Sequence, residues 1–170
     1  MCPMLKIRVP ATSANLGPGF DCLGLALDVW NEVSFEVGDK ISFHVTGEGA
    51  VKLNHHPKNL LTKSFAQVYE VCGKRFFGVK IESNNNIPLS SGLGSSAAAI
   101  IAGLFGANEL LNKPLDLCEL LKLAAKIEGH PDNVAPALLG GLIVRVGSLM
   151  VDSSLKTQLN QLEIAMREAS

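Results

Sequence analysis

The chain has 170 residues, of which 47% are hydrophobic and 18% charged. That size and balance suit one packed domain with little beyond it, and they exclude a disordered chain. With 15 basic and 16 acidic residues and a formal net charge of -1, nothing in the bulk charge favours nucleic acid or an anionic membrane as partner.

Leu5 to Val9 alternates apolar and polar residues, the signature of a half-buried strand. Pro10 to Asp21 has no periodicity and contains Gly17-Pro18-Gly19, so it reads as a shaped loop. Leu25 to Val37 and Ile41 to Thr46 have strand composition. The intervening Gly38-Asp39 is a turn of hairpin length. Asn59 to Cys72 is expected to be a helix ending at Gly73, and Val79 to Ile81 a short strand. A loop containing Asn84-Asn85-Asn86 leads into a Gly-rich segment. Helices are expected from about Ser95 to Leu111 and from Leu115 to Ile127, with Lys113-Pro114 between them. Val134 to Leu139 is a short helical piece, and Leu142 to Val146 a strand. Ala97 to Leu111 is the most apolar stretch, but Gly103, Gly106, Asn108 and Glu109 interrupt it, so it reads as a buried helix and not a membrane span.

This order predicts an α+β fold, with helices on one face of a mostly antiparallel sheet. Cys2, Cys22, Cys72 and Cys118 show no C-x-x-C spacing, which argues against a disulfide framework or zinc site and for a reducing, cytoplasmic compartment. Met1 to Pro10 has no apolar run long enough for a signal peptide. The pair His55-His56 reads as loop surface, since adjacent side chains do not converge. Trp30 and the phenylalanines read as core.

The richest segment is Pro88-Leu-Ser-Ser-Gly-Leu-Gly-Ser-Ser-Ala-Ala98. Gly92 and Gly94 permit close backbone approach to a ligand, and Ser95 and Ser96 open a helix whose first amides are unpaired. A phosphate chain could accept hydrogen bonds from those amides without a basic side chain. The plainer reading is a Gly/Ser turn before a helix capped by serine. The segment lacks the Gly-Lys-Ser/Thr ending of a Walker A loop and the third glycine of a dinucleotide-binding fingerprint.

Three segments in order resemble the motifs of the GHMP kinases: Pro10-Ala-Thr-Ser-Ala-Asn-Leu-Gly-Pro-Gly-Phe-Asp21, the Gly-rich segment, and Glu128-Gly-His-Pro-Asp-Asn-Val-Ala-Pro-Ala-Leu-Leu-Gly-Gly141. The first and third are similar to those of the homoserine kinases within that superfamily. The resemblance implies the two-layer fold of the superfamily's N-terminal domain, over residues 1–148. It also implies phosphoryl transfer from MgATP to the hydroxyl of L-homoserine.

In that frame Pro88, Leu89, Ser90, Ser91, Gly92, Leu93, Gly94, Ser95, Ser96, Ala97 and Ala98 would cradle the ATP phosphates. Ser96 and Glu128 would hold Mg2+. Asn15, Asp21, His130 and Asn133 would line the homoserine pocket, with Asp21 suited to the ammonium group. Asp132 is the candidate base, beside Asn133. Each residue has a plainer reading: Asp21 as a helix cap, Asn15 as a turn residue, His130 as a loop histidine and Glu128 as a solvated helix-end acid.

No segment after Val146 resembles the further Gly-rich motif of the family's second domain. Residues 149–170 are therefore expected to be an atypical helical tail with the C-terminal domain absent. A silent nucleotide-binding or scaffold domain, or another GHMP kinase such as a mevalonate-type one, are the alternatives. A homodimer is compatible with the resemblance; nucleic acid and membrane are not expected as partners.

Overall fold

The structure, a computed structural model, describes residues 4–14, 24–54, 59–76, 78–130, 132–140, 143–146 and 149–152. In chain order the elements are β1 (Leu5–Ala14), β2 (Gly24–Val37), β3 (Ser42–Gly47), α1 (Ala50–Asn54), α2 (Leu60–Val71), β4 (Val79–Asn85), α3 (Ser95–Leu110), α4 (Leu117–Glu128), α5 (Val134–Leu139), β5 (Ile143–Val146) and β6 (Leu149–Asp152). The strands form one sheet in the order β3-β4-β2-β1-β5-β6. Every neighbouring pair is antiparallel except β3 and β4. The expected α+β class and mostly antiparallel sheet are both observed.

Several local expectations are overturned. Gly38-Asp39 does not close a hairpin, because β4 inserts between β2 and β3 and pairs with both. A parallel β3–β4 pair needs a crossover, and α1 and α2 supply it. The sheet also continues where loops were expected. β1 runs past Pro10 to Ala14, with a register shift against β2 between Pro10 and Ala11, the kind of irregularity at which a strand tolerates proline. β4 runs on through Ser83, Asn84 and Asn85. Its polar residues keep the alternation, and Ser83 and Asn85 face inward. The first four residues of the expected helical tail form β6, the outermost strand of the sheet; residues 153–170, like His55 and His56, lie outside the described residues.

One face of the sheet carries the core. Leu5, Ile7 and Val9 of β1, Val33 and Phe35 of β2, and Val79 and Ile81 of β4 point into it and are essentially inaccessible. α3 lies against this face and is buried along most of its length, as its nearly continuous apolar composition requires. Glycines permit its close contacts. A Cβ at Gly103 would fall on the carbonyl oxygen of Leu61 in α2, and one at Gly106 would sit 2.5 Å from Cζ of Phe35. Phe35 stacks on Phe65 at 5.4 Å between ring centres, and Tyr69 and Phe76 extend the cluster. Among the described residues no helix is long and apolar enough to cross a membrane.

The opposite face is polar. Arg8 and Glu32 approach to 2.9 Å, as do Lys80 and Glu82. The Lys80–Glu82 hydrogen bond raises the lysine pKa and lowers that of the glutamate. Trp30 belongs to this face and not to the core: its Nε1 donates to Asp28 at 2.6 Å, and the Arg8 guanidinium lies 5.0 Å from the ring centre. These are solvent-exposed pairs, and water screens them. The free edge of β3 is covered locally by Asn54, whose amide oxygen accepts from Val45 N–H at 2.7 Å while its Nδ2 donates to the Val45 carbonyl at 2.8 Å.

Candidate phosphate-binding site

The Gly-rich segment joins β4 to α3. Its entrance is anchored by the buried Asn31 of β2, whose Oδ1 accepts from the amides of Asn86 and Ile87 at 2.8 and 3.1 Å. Ser90, Gly92 and Gly94 then take positive φ values of 57°, 74° and 67°. Three left-handed residues in five coil the backbone into a compact turn, with Ser91 Oγ donating to the Pro88 carbonyl at 2.8 Å.

Serine does not cap the helix that follows. The N-cap is Gly94, which has no side chain to offer, and Ser95 and Ser96 already lie in the first turn. The other long helices are closed: Asn59 caps α2, and Asp116 with Glu119 forms a capping box on α4. The first amides of α3 therefore have no side-chain cap, and Gly94, Ser95 and Ser96 present theirs, with the positive end of the helix dipole, to whatever occupies the cleft in front of them.

That cleft has a volume of about 660 Å³. Its polar end is lined by Ser90 to Ser96 and by Asn133. Its other end is lined by Phe43 and Val45 of β3, Lys52 and Leu53 of α1, and Asn59, Leu60 and Leu61 at the start of α2, with Leu89 above. Asn85 belongs to the same wall. Its Nδ2 donates to the Glu48 carbonyl at 2.7 Å, which leaves its Oδ1 a buried acceptor with no donor among the described residues. The apolar end was not visible in the sequence, because its residues come from three elements with no shared local motif. Phe43, read as core, packs half-buried against the core cluster and also lines this cleft.

The third motif segment meets the helix start from the side. Ser96 Oγ donates a short hydrogen bond to Glu128 Oε1 at the end of α4. Gly129 ends α4 with a φ of 89°, and the chain turns back so that Asn133 reaches the cleft. Its Oδ1 accepts from the hydroxyl of Thr12 at 3.1 Å. Thr12 also donates its backbone N–H to the Leu93 carbonyl at 3.0 Å. α5 continues from this turn across the start of β2, where a Cβ at Gly24 would sit 2.7 Å from Cγ of Pro136.

The structure thus brings together Ser96 with Glu128, and Asn133 with the segment from Ser90 to Ser96. Ala97 and Ala98 are fully buried behind the helix start. His130 is exposed and Asp132 half-buried; neither lines the cleft. Asn15 and Asp21 lie outside the described residues.

The residues at the polar end suit a magnesium–phosphate group. The amide cradle needs no cationic side chain, and Ser96 with Glu128 forms an oxygen-only donor pair, the kind Mg2+ uses beside phosphate oxygens and water. Among the described residues no cluster of three or more histidine, cysteine, aspartate or glutamate side chains forms a larger metal site.

Residues 59–141 match the family model described as GHMP kinases N terminal domain. A second model, ATP synthase delta (OSCP) subunit, matches residues 120–166, but the part it shares with the first match forms α4 and α5 of the arrangement above. A homoserine kinase from Clostridium acetobutylicum is 49% identical, over 84% of this chain and 48% of its own length. The crystal structure of a homoserine kinase from Cytophaga hutchinsonii superposes with a TM-score of 0.69 at 35% identity, over 91% of this chain and 52% of that one. A mevalonate kinase from Methanococcus jannaschii shares the fold with a TM-score of 0.66 at 18% identity, over 86% of this chain and 54% of that one. The chain spans about half the length of the curated relatives it matches. With the Gly-rich loop, the uncapped helix and the Glu128 to Asn133 turn in the matched order, the chain belongs to the GHMP kinase family and carries that family's N-terminal domain.

Proposed function

We propose that this chain is the nucleotide-binding part of a homoserine kinase, which transfers the γ-phosphoryl group of MgATP to the side-chain hydroxyl of L-homoserine. The observation that carries the reading is the uncapped start of α3, set at one end of a two-ended cleft with Ser96, Glu128 and Asn133 around it. The choice of homoserine over other alcohols rests on relatives of that name at 49% identity. Mevalonate kinases share only the fold.

In this reading the triphosphate lies along the backbone from Ser90 to Ser96 and the purine enters the apolar end near Phe43 and Leu60. The Asn85 Oδ1 acceptor supplies one polar feature on that wall. Ser96 and Glu128 hold Mg2+, which when bound offsets negative charge on the phosphate oxygens. Asn133 faces the phosphate end, and Asn15, Asp21 and His130 are assigned to the homoserine side. The homoserine hydroxyl oxygen forms the new bond to the γ-phosphorus. The bond to the β,γ-bridging oxygen breaks, and ADP leaves with that electron pair. The hydroxyl proton departs late in a loose transition state, so a strong base is not required; Asp132 is the nearest candidate acceptor in sequence. Most of the rate then comes from positioning and from fixed donors aimed at the phosphoryl oxygens. The compartment this chemistry and the cysteine usage suit is the cytoplasm.

A second reading, which the uncapped start of α3 would support by itself, is that the chain binds nucleotide without turning over. An ATP-coupled phosphorylation assay with L-homoserine, run beside mevalonate and galactose, separates the two. Turnover selective for homoserine supports the kinase. No turnover, together with nucleotide binding by calorimetry, leaves the nucleotide-binding reading alone. No nucleotide binding at all overturns both.

A further inference from the structure

We propose that Thr12 is a positioning residue for phosphoryl transfer: its hydroxyl fixes the Asn133 amide so that the amide's N–H edge faces the phosphate end of the cleft. The inference rests on the nucleotide-binding reading above. It begins with a buried hydroxyl at a crowded junction. Thr12 is fully inaccessible, at a position on β1 where valine would fill the same volume with equal strand preference. Burying a hydroxyl without a partner is costly, so its bond to Asn133 Oδ1 at 3.1 Å is the reason the polar group is tolerated.

That bond engages Oδ1, the acceptor atom of the Asn133 amide, and leaves its two N–H donors for other partners. Asn133 Nδ2 has no acceptor among the described residues, and the side chain lines the cleft beside Ser95 and Ser96. An anionic phosphate there meets a donor. A flipped amide would present its carbonyl oxygen to the same anion and repel it. A flipped amide could still donate its N–H to the hydroxyl oxygen, but the buried Thr12 O–H would then have no acceptor among the described residues, so the observed bond favours the productive orientation.

The phosphate loop is built to fit the same hydroxyl. A Cβ at Gly94 would fall on Thr12 Oγ1, so glycine at the helix cap leaves the room the hydroxyl needs. The Thr12 backbone amide meanwhile holds the Leu93 carbonyl at 3.0 Å. One residue thus ties β1, the loop and the turn carrying Asn133 into a single unit.

The test uses the full chain and the magnesium complex of a non-hydrolysable ATP analogue. Thr12→Val should melt close to the wild type but bind the analogue about tenfold more weakly, the scale of one lost charge-assisted hydrogen bond. Thr12→Ser should restore affinity. The side-chain amide resonances of Asn133, assigned by their loss in Asn133→Asp, should shift on addition of the analogue in the wild type and in Thr12→Ser, and not in Thr12→Val. Asn133→Asp keeps an acceptor for Thr12 and removes the donor edge. It should weaken binding by at least the same factor, and Thr12→Val added to it should cost little more.

Wild-type affinity and a wild-type amide shift in Thr12→Val would overturn the proposal while leaving the nucleotide site intact. So would unchanged affinity in Asn133→Asp, which decides the matter if Thr12→Val does not fold. A wild-type chain that binds no nucleotide would remove the underlying reading and this inference with it.

Discussion

The hydroxyl of Ser96, in the first turn of α3, donates to the carboxylate of Glu128, the last residue of α4. The two residues are far apart in sequence, and each has an ordinary local explanation on its own: a helix-start serine and a solvated helix-end acid. Their meeting puts two hard oxygen ligands beside uncapped amides. Glu128→Gln should therefore weaken binding of the Mg2+–ATP complex by about ten- to a hundredfold, the scale of a lost bond to a charged ligand. Binding of ATP in excess chelator should change far less. Calorimetric titrations with and without Mg2+ check this; an equal loss in both would mark Glu128 as structural and not as a metal ligand.

Gly94 and Gly92 both have positive φ, but their surroundings differ. A Cβ at Gly92 meets nothing within 4 Å, whereas one at Gly94 falls on Thr12 Oγ1. Gly92→Ala should cost only the left-handed strain, about 1–2 kcal/mol. Gly94→Ala should add an overpacking cost of about 1–3 kcal/mol and loosen the loop. Larger residues at Gly94 should abolish nucleotide binding by pushing the loop off β1, before any contact with the ligand. Urea melts of the two alanine variants decide it: equal destabilisation would remove the steric argument.

Much of this architecture was legible from local pattern. The buried α3, the α2 helix with Gly73 just past its end and the Gly-rich loop all announce themselves through composition and spacing. What was not legible depends on pairing across distance. Gly38-Asp39 has the chemistry of a hairpin turn, yet β4 takes the place beside β2, because its inward-facing Val79, Ile81, Ser83 and Asn85 continue the buried face. The polar tip of β4 reads as a loop until both of its neighbours are known. Serine after Gly94 reads as a cap, and only the backbone places the cap one residue earlier. In the site, the phosphate end lies within one segment and could be read. The apolar end is assembled from β3, α1 and α2 and could not.

That apolar end gives a separable prediction. Phe43 is half-buried in the cleft wall and lies away from the amide cradle. Phe43→Ala should remove part of the purine contact, about 1 kcal/mol or roughly fivefold in ATP affinity. Affinity for inorganic triphosphate with Mg2+ should stay at the wild-type level. If both ligands weaken together, Phe43 supports the fold and does not meet the base.

Stability and binding should separate further along α3. Gly106 lies 12 residues beyond Gly94, about 18 Å along the helix at 1.5 Å per residue. Alanine there would ordinarily stabilise a helix by about 1 kcal/mol. Here its Cβ would sit 2.5 Å from Cζ and 2.7 Å from Cε1 of Phe35, a fully buried ring stacked on Phe65. The ring is buried and already stacked on Phe65, so overpacking of about 1–3 kcal/mol should win and Gly106→Ala should be less stable than the wild type. Shrinking the ring in the pair Gly106→Ala with Phe35→Leu should recover more stability than the single changes add up to, because the two sites share one contact. Denaturant midpoints of the four proteins measure this. A stabilised Gly106→Ala would mean that α3 and β2 are not held as closely as the Phe35 contact requires, whereas unchanged nucleotide affinity in a destabilised Gly106→Ala would show that the site at the far end of α3 tolerates a weakened core.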